Sequence, residues 1–140
     1  MARVLVIDDE PDVLMLCRVN LQHAGHDVLE ALDGERGLET ARSAHPDVIV
    51  LDLMLPSMDG YEVLQMLQED PEVREVPVLV LTAKAQSGDR ARSWREGASW
   101  FITKPFSPDT LVEAVRRLTQ MSPDELLDHR DTARRELTDD

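Results

Sequence analysis

The chain has 140 residues, enough for one domain of ordinary size and too few for two independent cores. Hydrophobic residues make up 42% and charged residues 31%, a globular mix that excludes a disordered or fibrous chain. The 28 acids and 15 bases leave a charge of −13, which repels a phosphate backbone and argues against direct DNA binding.

The first apolar run, Val4 to Ile7, lacks polar alternation, the pattern of a strand buried on both faces of a parallel sheet. Val13, Leu14, Cys17, Leu21 and Ala24 then recur at helical spacing, and Gly25 follows as a C-terminal cap. Val28-Leu29 is a weaker strand, and Leu38, Ala41 and Arg42 belong to a second helix closed near Pro46. Val48 to Leu51 is a third strand, Val63, Leu64 and Leu67 mark a third helix, and Val78 to Leu81 is a fourth strand. Arg90 to Glu96, ended by Gly97, is a more polar fourth helical stretch, and Trp100 to Ile102 is a fifth strand. Leu111, Val115 and Leu118 mark a fifth helix, opened by Ser107-Pro108 as cap and first helical residue. The strands begin near residues 3, 27, 48, 77 and 100, so the spacings are 24, 21, 29 and 23. Each gap holds one helix and two short loops, the βα repeat of an open α/β sheet with helices on both faces.

Beyond residue 121 the pattern changes. Ser122-Pro123-Asp124-Glu125 has the form of a capping box, and Leu126, Leu127, Ala133 and Leu137 make a thin apolar stripe. The expected division is therefore a domain over residues 1–121 and an acidic extension over 122–140, either an appended helix from Pro123 to about Leu137 or a solvated tail. The extension holds seven acids and three arginines, too short and too negative for a DNA-binding domain. No apolar run approaches the ~20 residues of a membrane span and the N-terminal run is too short for a signal peptide, so no membrane insertion and a cytoplasmic location are expected. The single cysteine, Cys17, makes neither an internal disulfide nor a cysteine-rich metal site. His23, His26, His45 and His129 lack ligand spacing and read as turn or surface residues.

The chemistry lies where the strands end. The first ends in Asp8-Asp9, the third in Asp52, the fourth in Thr82 and the fifth in Thr103-Lys104-Pro105. Open α/β sheets bind ligands at the carboxyl ends of their strands, where strand order reverses. If the first and third strands are neighbours, Asp8, Asp9 and Asp52 converge, and the weak second strand is an edge. Asp9-Glu10-Pro11 reads equally well as a helix start with Asp9 as its cap. Asp52 directly follows a buried aliphatic run, where an uncompensated carboxylate is costly. Three carboxylates and one lysine leave −2, which suits a hard divalent cation, hence Mg²⁺. Asp52 could then attack phosphorus, with Lys104 and the cation stabilising the transferring oxygens and Thr82 donating a hydrogen bond.

These pieces resemble the receiver domain of bacterial two-component response regulators, in particular the single-domain, chemotaxis-like type. The resemblance rests on Val6-Ile7-Asp8-Asp9-Glu10-Pro11, Leu51-Asp52-Leu53-Met54-Leu55-Pro56, Met58-Asp59-Gly60, Leu81-Thr82-Ala83-Lys84, Gly97-Ala98 and Thr103-Lys104-Pro105-Phe106. It implies a flavodoxin-like, doubly wound parallel sheet of order 2-1-3-4-5 with five helices, to which the C-terminal helix is added. It implies Asp52 as phosphoacceptor and Asp9 as a direct Mg²⁺ ligand. Asp8 would hold metal-bound water and the Met54 backbone carbonyl would complete the shell. Thr82 matches the switch hydroxyl, Ala83 a small residue that leaves room for the phosphoryl group, Lys104 its lysine partner and Phe101 the switch aromatic; a cis Lys104–Pro105 bond is implied too. Met54 and Lys84 flank the path of attacking water and should tune phosphate lifetime. Methionine cannot orient that water, so slower self-dephosphorylation is expected than with asparagine at 54.

Function on this resemblance is a phosphorylation switch. A sensor histidine kinase or histidine phosphotransfer protein supplies the phosphoryl group, and the face made by the fourth helix, fifth strand and fifth helix binds an unknown downstream protein. Turnover is confined to the chain's own phosphorylation and dephosphorylation, and the state is a monomer or a phosphorylation-dependent dimer. Gly97-Ala98-Ser99-Trp100 lacks the acidic pair that precedes the switch aromatic in many DNA-binding members, which puts their dimer mode in doubt. Trp100 is then either a partner anchor or buried. Trp94 and Phe106 read as packing residues, and Arg90, Arg92 and Arg95 suit either an acidic partner or solvent. The chain reads as a single-domain receiver, the alternatives being a receiver cut from a longer regulator or an interaction domain that is not phosphorylated. A haloacid-dehalogenase-type phosphatase would need a second Asp where Met54 stands, and a flavodoxin would need a phosphate-cradling loop where Asp8-Asp9-Glu10 stands.

Overall fold

A computed structural model describes residues 1–56, 58–83, 97–122 and 124–126. Its strands are β1 (Arg3–Ile7), β2 (Asp27–Ala31), β3 (Val48–Asp52), β4 (Val78–Thr82) and β5 (Trp100–Thr103). All pair in parallel, in the order β2-β1-β3-β4-β5. The described helices are α1 (Pro11–His23), α2 (Gly34–Ala44), α3 (Gly60–Glu69) and α4 (Pro108–Gln120). The fold is the open α/β sheet expected from the strand spacing, in the doubly wound, flavodoxin-like order that the resemblance implies. The polar stretch from Arg90 to Glu96 lies outside the described residues, as do Lys84 and Trp94.

Strand alternation divides the core in two. Leu5, Ile7, Ile49, Leu51, Val78 and Val80 face α2 and α3, where Leu38, Ala41, Leu64 and Leu67 meet them. Val4, Val6, Val48, Val50, Leu79 and Leu81 face the other way, onto Leu14, Cys17 and Leu21 of α1 and Leu111, Val115 and Leu118 of α4. β1, β3 and β4 are thus apolar without alternation because both faces are covered, and each buried Val, Ile or Leu contributes ~1.5–3 kcal/mol. β2 lies at one edge and carries the exposed Asp27 and Glu30, which is why its apolar signal is short. Cys17 is a packing residue whose thiol burial pushes up to about 12, so it is unreactive.

Local signals end the helices as read. Gly25, at φ +96°, follows the last residues of α1. Ser107 caps α4 by accepting from the Thr110 N–H at 3.2 Å. The Ser122 hydroxyl accepts from the Glu125 N–H at 3.1 Å, the forward half of a capping box, and donates to the Glu125 carboxylate at 3.2 Å. Residues 124–126 are helical, Leu126 is buried against the α1–α4 side of the core, and the rest of the extension lies outside the described residues.

Candidate functional site at the carboxyl edge of the sheet

β1, β3 and β4 end side by side, and the first polar residues after or at their ends are Asp8, Asp52 and Thr82. All three are buried: Asp8 at 0%, Asp52 at 1% and Thr82 at 1% exposure. Two features fix this edge. Gly60 opens α3 against the backbone of Leu53, where an added Cβ would stand 2.3 Å from the Leu53 Cα, so only glycine lets the helix start this close to Asp52. The Lys104 N–H donates to the Thr82 carbonyl at 2.7 Å, which carries the β4–β5 ladder up to the lysine. The Lys104–Pro105 bond is cis.

The Lys104 ammonium donates to Asp8 Oδ2 at 3.1 Å, Glu10 Oε1 at 3.1 Å and Asp52 Oδ2 at 3.2 Å. Each buried carboxylate uses its other oxygen on the backbone. Asp8 Oδ1 accepts from the Glu10 N–H at 2.9 Å, and Asp52 Oδ1 from the Met54 N–H at 2.9 Å. Burial raises the pKa of Asp8 and the Asp52 charge adds to it, against the lowering by the Glu10 N–H and Lys104. Burial opposes the charge on Lys104, but Asp52, Asp8 and Glu10 outweigh it and hold its pKa above the ordinary lysine value. The lysine is therefore a fixed cation.

Asp8, Glu10 and Asp52 offer oxygens within 4.8 Å of one another. Three carboxylates against one ammonium leave −2, and hard oxygen donors at this spacing fit a divalent cation such as Mg²⁺. Sequence reasoning placed Asp9 in this set and passed over Glu10. In the structure the α1 N-cap is Glu10, in extended conformation and without a side-chain cap bond, so Asp9 is not the helix cap. Asp9, half-buried, sits at a bend between Asp8 and Glu10. The Met54 side chain is 54% exposed. Phe101 packs partly buried on the α2–α3 side, and Trp100, on the opposite face of β5, is 40% exposed rather than buried. Phe106 packs on the α1–α4 side.

The sequence profile of the response regulator receiver domain matches residues 4–116. The chain belongs to the response regulator receiver family. This receiver is 43% identical over 118 residues to the DNA-binding dual master transcriptional regulator RpaA of Synechocystis sp., spanning 84% of the chain and 49% of that protein. It is 35% identical over 115 residues to Protein PilH of Pseudomonas aeruginosa, spanning 82% of the chain and 95% of that protein. Among solved structures it is similar to the chemotaxis response regulator CheY4 of Vibrio cholerae, with a TM-score of 0.80 and 32% identity over 84% of this chain and 98% of that one. The receiver thus spans about half the length of the regulator RpaA and nearly all of PilH. No helix among its described residues is long and apolar enough to cross a membrane.

Proposed function

We propose that this receiver is a phosphorylation-operated switch whose phosphoacceptor is Asp52. The observation that carries the reading is a buried carboxylate at the end of β3, reached by the Lys104 ammonium at 3.2 Å and flanked by Thr82 at the end of the neighbouring strand. The donor is a phosphohistidine on a sensor kinase or phosphotransfer protein. A bond forms from an Asp52 oxygen to phosphorus as the N–P bond breaks, and the departing imidazole takes up a proton. Lys104 holds one of the transferring oxygens and Thr82 donates its hydroxyl to another. Asp8, Asp9, Asp52 and the Met54 carbonyl, with Glu10 within reach, would hold Mg²⁺, which supplies charge neutralisation at those oxygens.

The added charge, near −2, draws Thr82 and Lys104 toward Asp52 and shifts Phe101, and the change is read on the surface of β5 and α4. There Trp100, Glu113, Ala114, Arg117 and Leu118 line a groove of about 530 Å³. Turnover is confined to the chain's own aspartate, and the location is the cytoplasm, where kinase and donor meet. The charge of −13 points to a protein rather than DNA as the direct partner.

A second reading concerns the whole protein. Because the chain spans 49% of each of two relatives named as transcriptional regulators, it also fits the receiver part of a longer regulator whose output module lies elsewhere. Both readings share one test. With Mg²⁺ and acetyl phosphate, intact-mass analysis should show one phosphoryl group on the parent and none on Asp52→Asn, and continued labelling of the variant would refute the assignment.

A further inference from the structure

The residue after Asp52 is gripped from two sides. The Leu53 N–H donates to the Leu81 carbonyl of β4 at 3.1 Å, and the Leu53 carbonyl accepts from the Gly60 N–H of α3 at 3.2 Å. Both backbone groups of Leu53 are thus bonded, and its side chain is buried on the α2–α3 side of the core. The next residue, Met54, gives its N–H to Asp52 Oδ1 at 2.9 Å, while Asp52 Oδ2 accepts from Lys104 at 3.2 Å. A backbone donor on the acceptor carboxylate therefore depends on how Leu53 is held.

The grip from α3 is possible only without a side chain at Gly60. An added Cβ would stand 2.3 Å from the Leu53 Cα, 2.7 Å from its carbonyl oxygen and 2.8 Å from its carbonyl carbon. All three are backbone atoms, so no rotamer change relieves the overlap and one of the two backbones must move. Asp59 sets α3 in this place, its Oδ1 accepting the Tyr61 N–H at 2.9 Å as the helix cap.

We propose that Gly60 is a positioning residue for phosphoryl transfer: it lets the first turn of α3 seat on Leu53 and so aims the Met54 N–H at Asp52. With Oδ1 held by Met54 and Oδ2 by Lys104, the plane of the carboxylate is fixed before the phosphoryl donor arrives. The inference rests on Asp52 being the phosphoacceptor.

Two variants and a control test it. Gly60→Ala places a methyl group on the seat itself. Asp59→Ala removes the cap and loosens the same seat without adding volume. Leu126→Ala, on the α1–α4 side of the core, is the control for lost stability alone. The first measurement needs neither metal nor phosphate: the amide proton shift of Met54 by NMR in Mg²⁺-free protein. An N–H bonded to a carboxylate resonates downfield, so the signal should move upfield in Gly60→Ala, less so in Asp59→Ala, and stay in place in Leu126→Ala. The second is the affinity of folded protein for beryllofluoride, as the phosphoryl mimic, at saturating Mg²⁺. It should weaken about tenfold in Gly60→Ala, short of the ~100-fold that a 1 Å misplacement can cost, by a smaller factor in Asp59→Ala, and not at all in Leu126→Ala. A folded Gly60→Ala that matches the parent in either measurement overturns the proposal, because the overlap is then relieved by α3 alone. Equal weakening in Leu126→Ala overturns it as well, because lost stability then accounts for the effect. Should Gly60→Ala not fold, Asp59→Ala decides, and a parent-like Met54 signal or affinity there overturns the proposal. A parent that takes no beryllofluoride overturns the phosphoacceptor reading and the role in transfer with it, while the Met54 signal still decides whether Gly60 aims that N–H.

Discussion

At the amino edge of the sheet, the Arg3 N–H donates to Asp47 at 2.8 Å, the Arg3 guanidinium to the Ala44 carbonyl at 2.7 Å, and the Ala2 N–H to His26 Nδ1 at 3.1 Å. These groups are exposed or half-buried, and the buried Leu126 of the extension shares the same cavity wall with Ala2 and His26. At the carboxyl edge of the same strands, two buried carboxylates and an exposed one share a single ammonium. Polar groups must be placed at both ends of a parallel sheet, because both ends stop a ladder. At the amino edge they are satisfied pairwise, in or near solvent, beside the aliphatic Leu126. At the carboxyl edge negative charge is in excess and held out of water, an arrangement that lowers stability and is kept where chemistry needs it.

The largest test of that contrast is Lys104→Met. It leaves Asp8 and Asp52 without their cation and should lower the free energy of unfolding by about 3 kcal/mol in the absence of divalent ions. Urea melts should show part of the loss recovered when Mg²⁺ is added. A variant as stable as the parent would mean that the carboxyl edge is as well solvated as the amino edge. Leu126→Ala probes the other end. Removing a buried leucine there should cost about 2 kcal/mol, with a loss that Mg²⁺ does not alter. An unchanged urea midpoint would show that the extension contributes nothing to the body of the receiver.

A smaller effect of opposite sign is expected from Asp8→Asn, which removes one of the crowded charges and should stabilise the fold by of order 1 kcal/mol at neutral pH. The sign follows from the raised pKa of Asp8. The folded state binds that proton more tightly than the unfolded chain, so ionised Asp8 costs stability above its folded pKa and nothing below the unfolded value of 3.8. The advantage of the variant over the parent should therefore fade as pH falls through the raised pKa. A gap that stays constant down to about pH 4 would show that desolvation of Asp8 is not its cause.

The same contrast explains what was legible in the sequence. β1, β3 and β4 are readable because burial on both faces removes alternation, and the weakness of β2 fits its place at an edge, where its outer side has no neighbour; the rest of the strand order was implied by the resemblance. Asp8, Asp52, Thr82 and Lys104 are readable because each stands at or just past the end of an apolar run, so the topology alone brings them together. Glu10 was not, because its place beside Asp8 and Asp52 depends on the bend at Asp9 and on Lys104 reaching back across the sheet from β5. The docking of Leu126 was hidden for a similar reason. A thin stripe of leucines in an acidic segment looks the same whether or not a hydrophobic edge is waiting for it, and that edge is assembled from both ends of the chain.

The smallest effect belongs to the amino edge. Burial lowers the pKa of His26, and the charge of the chain's amino terminus adds to this. The neutral ring accepts the Ala2 N–H on Nδ1, a bond the protonated ring cannot accept. The folded state therefore prefers neutral His26 while the unfolded chain takes up the proton near the ordinary histidine value of 6.5. The stability it contributes is complete above that value and is lost as pH falls through the depressed folded pKa. His26→Gln keeps an acceptor that does not titrate. Thermal melts should show parent and variant keeping a constant gap above about pH 7, with the parent losing a few tenths of a kcal/mol relative to the variant in mildly acidic buffer, a size reduced by the partial exposure of the ring. If the gap holds constant through that range, the amino edge has no titrating contact, and the acid sensitivity of the receiver lies with carboxylates alone.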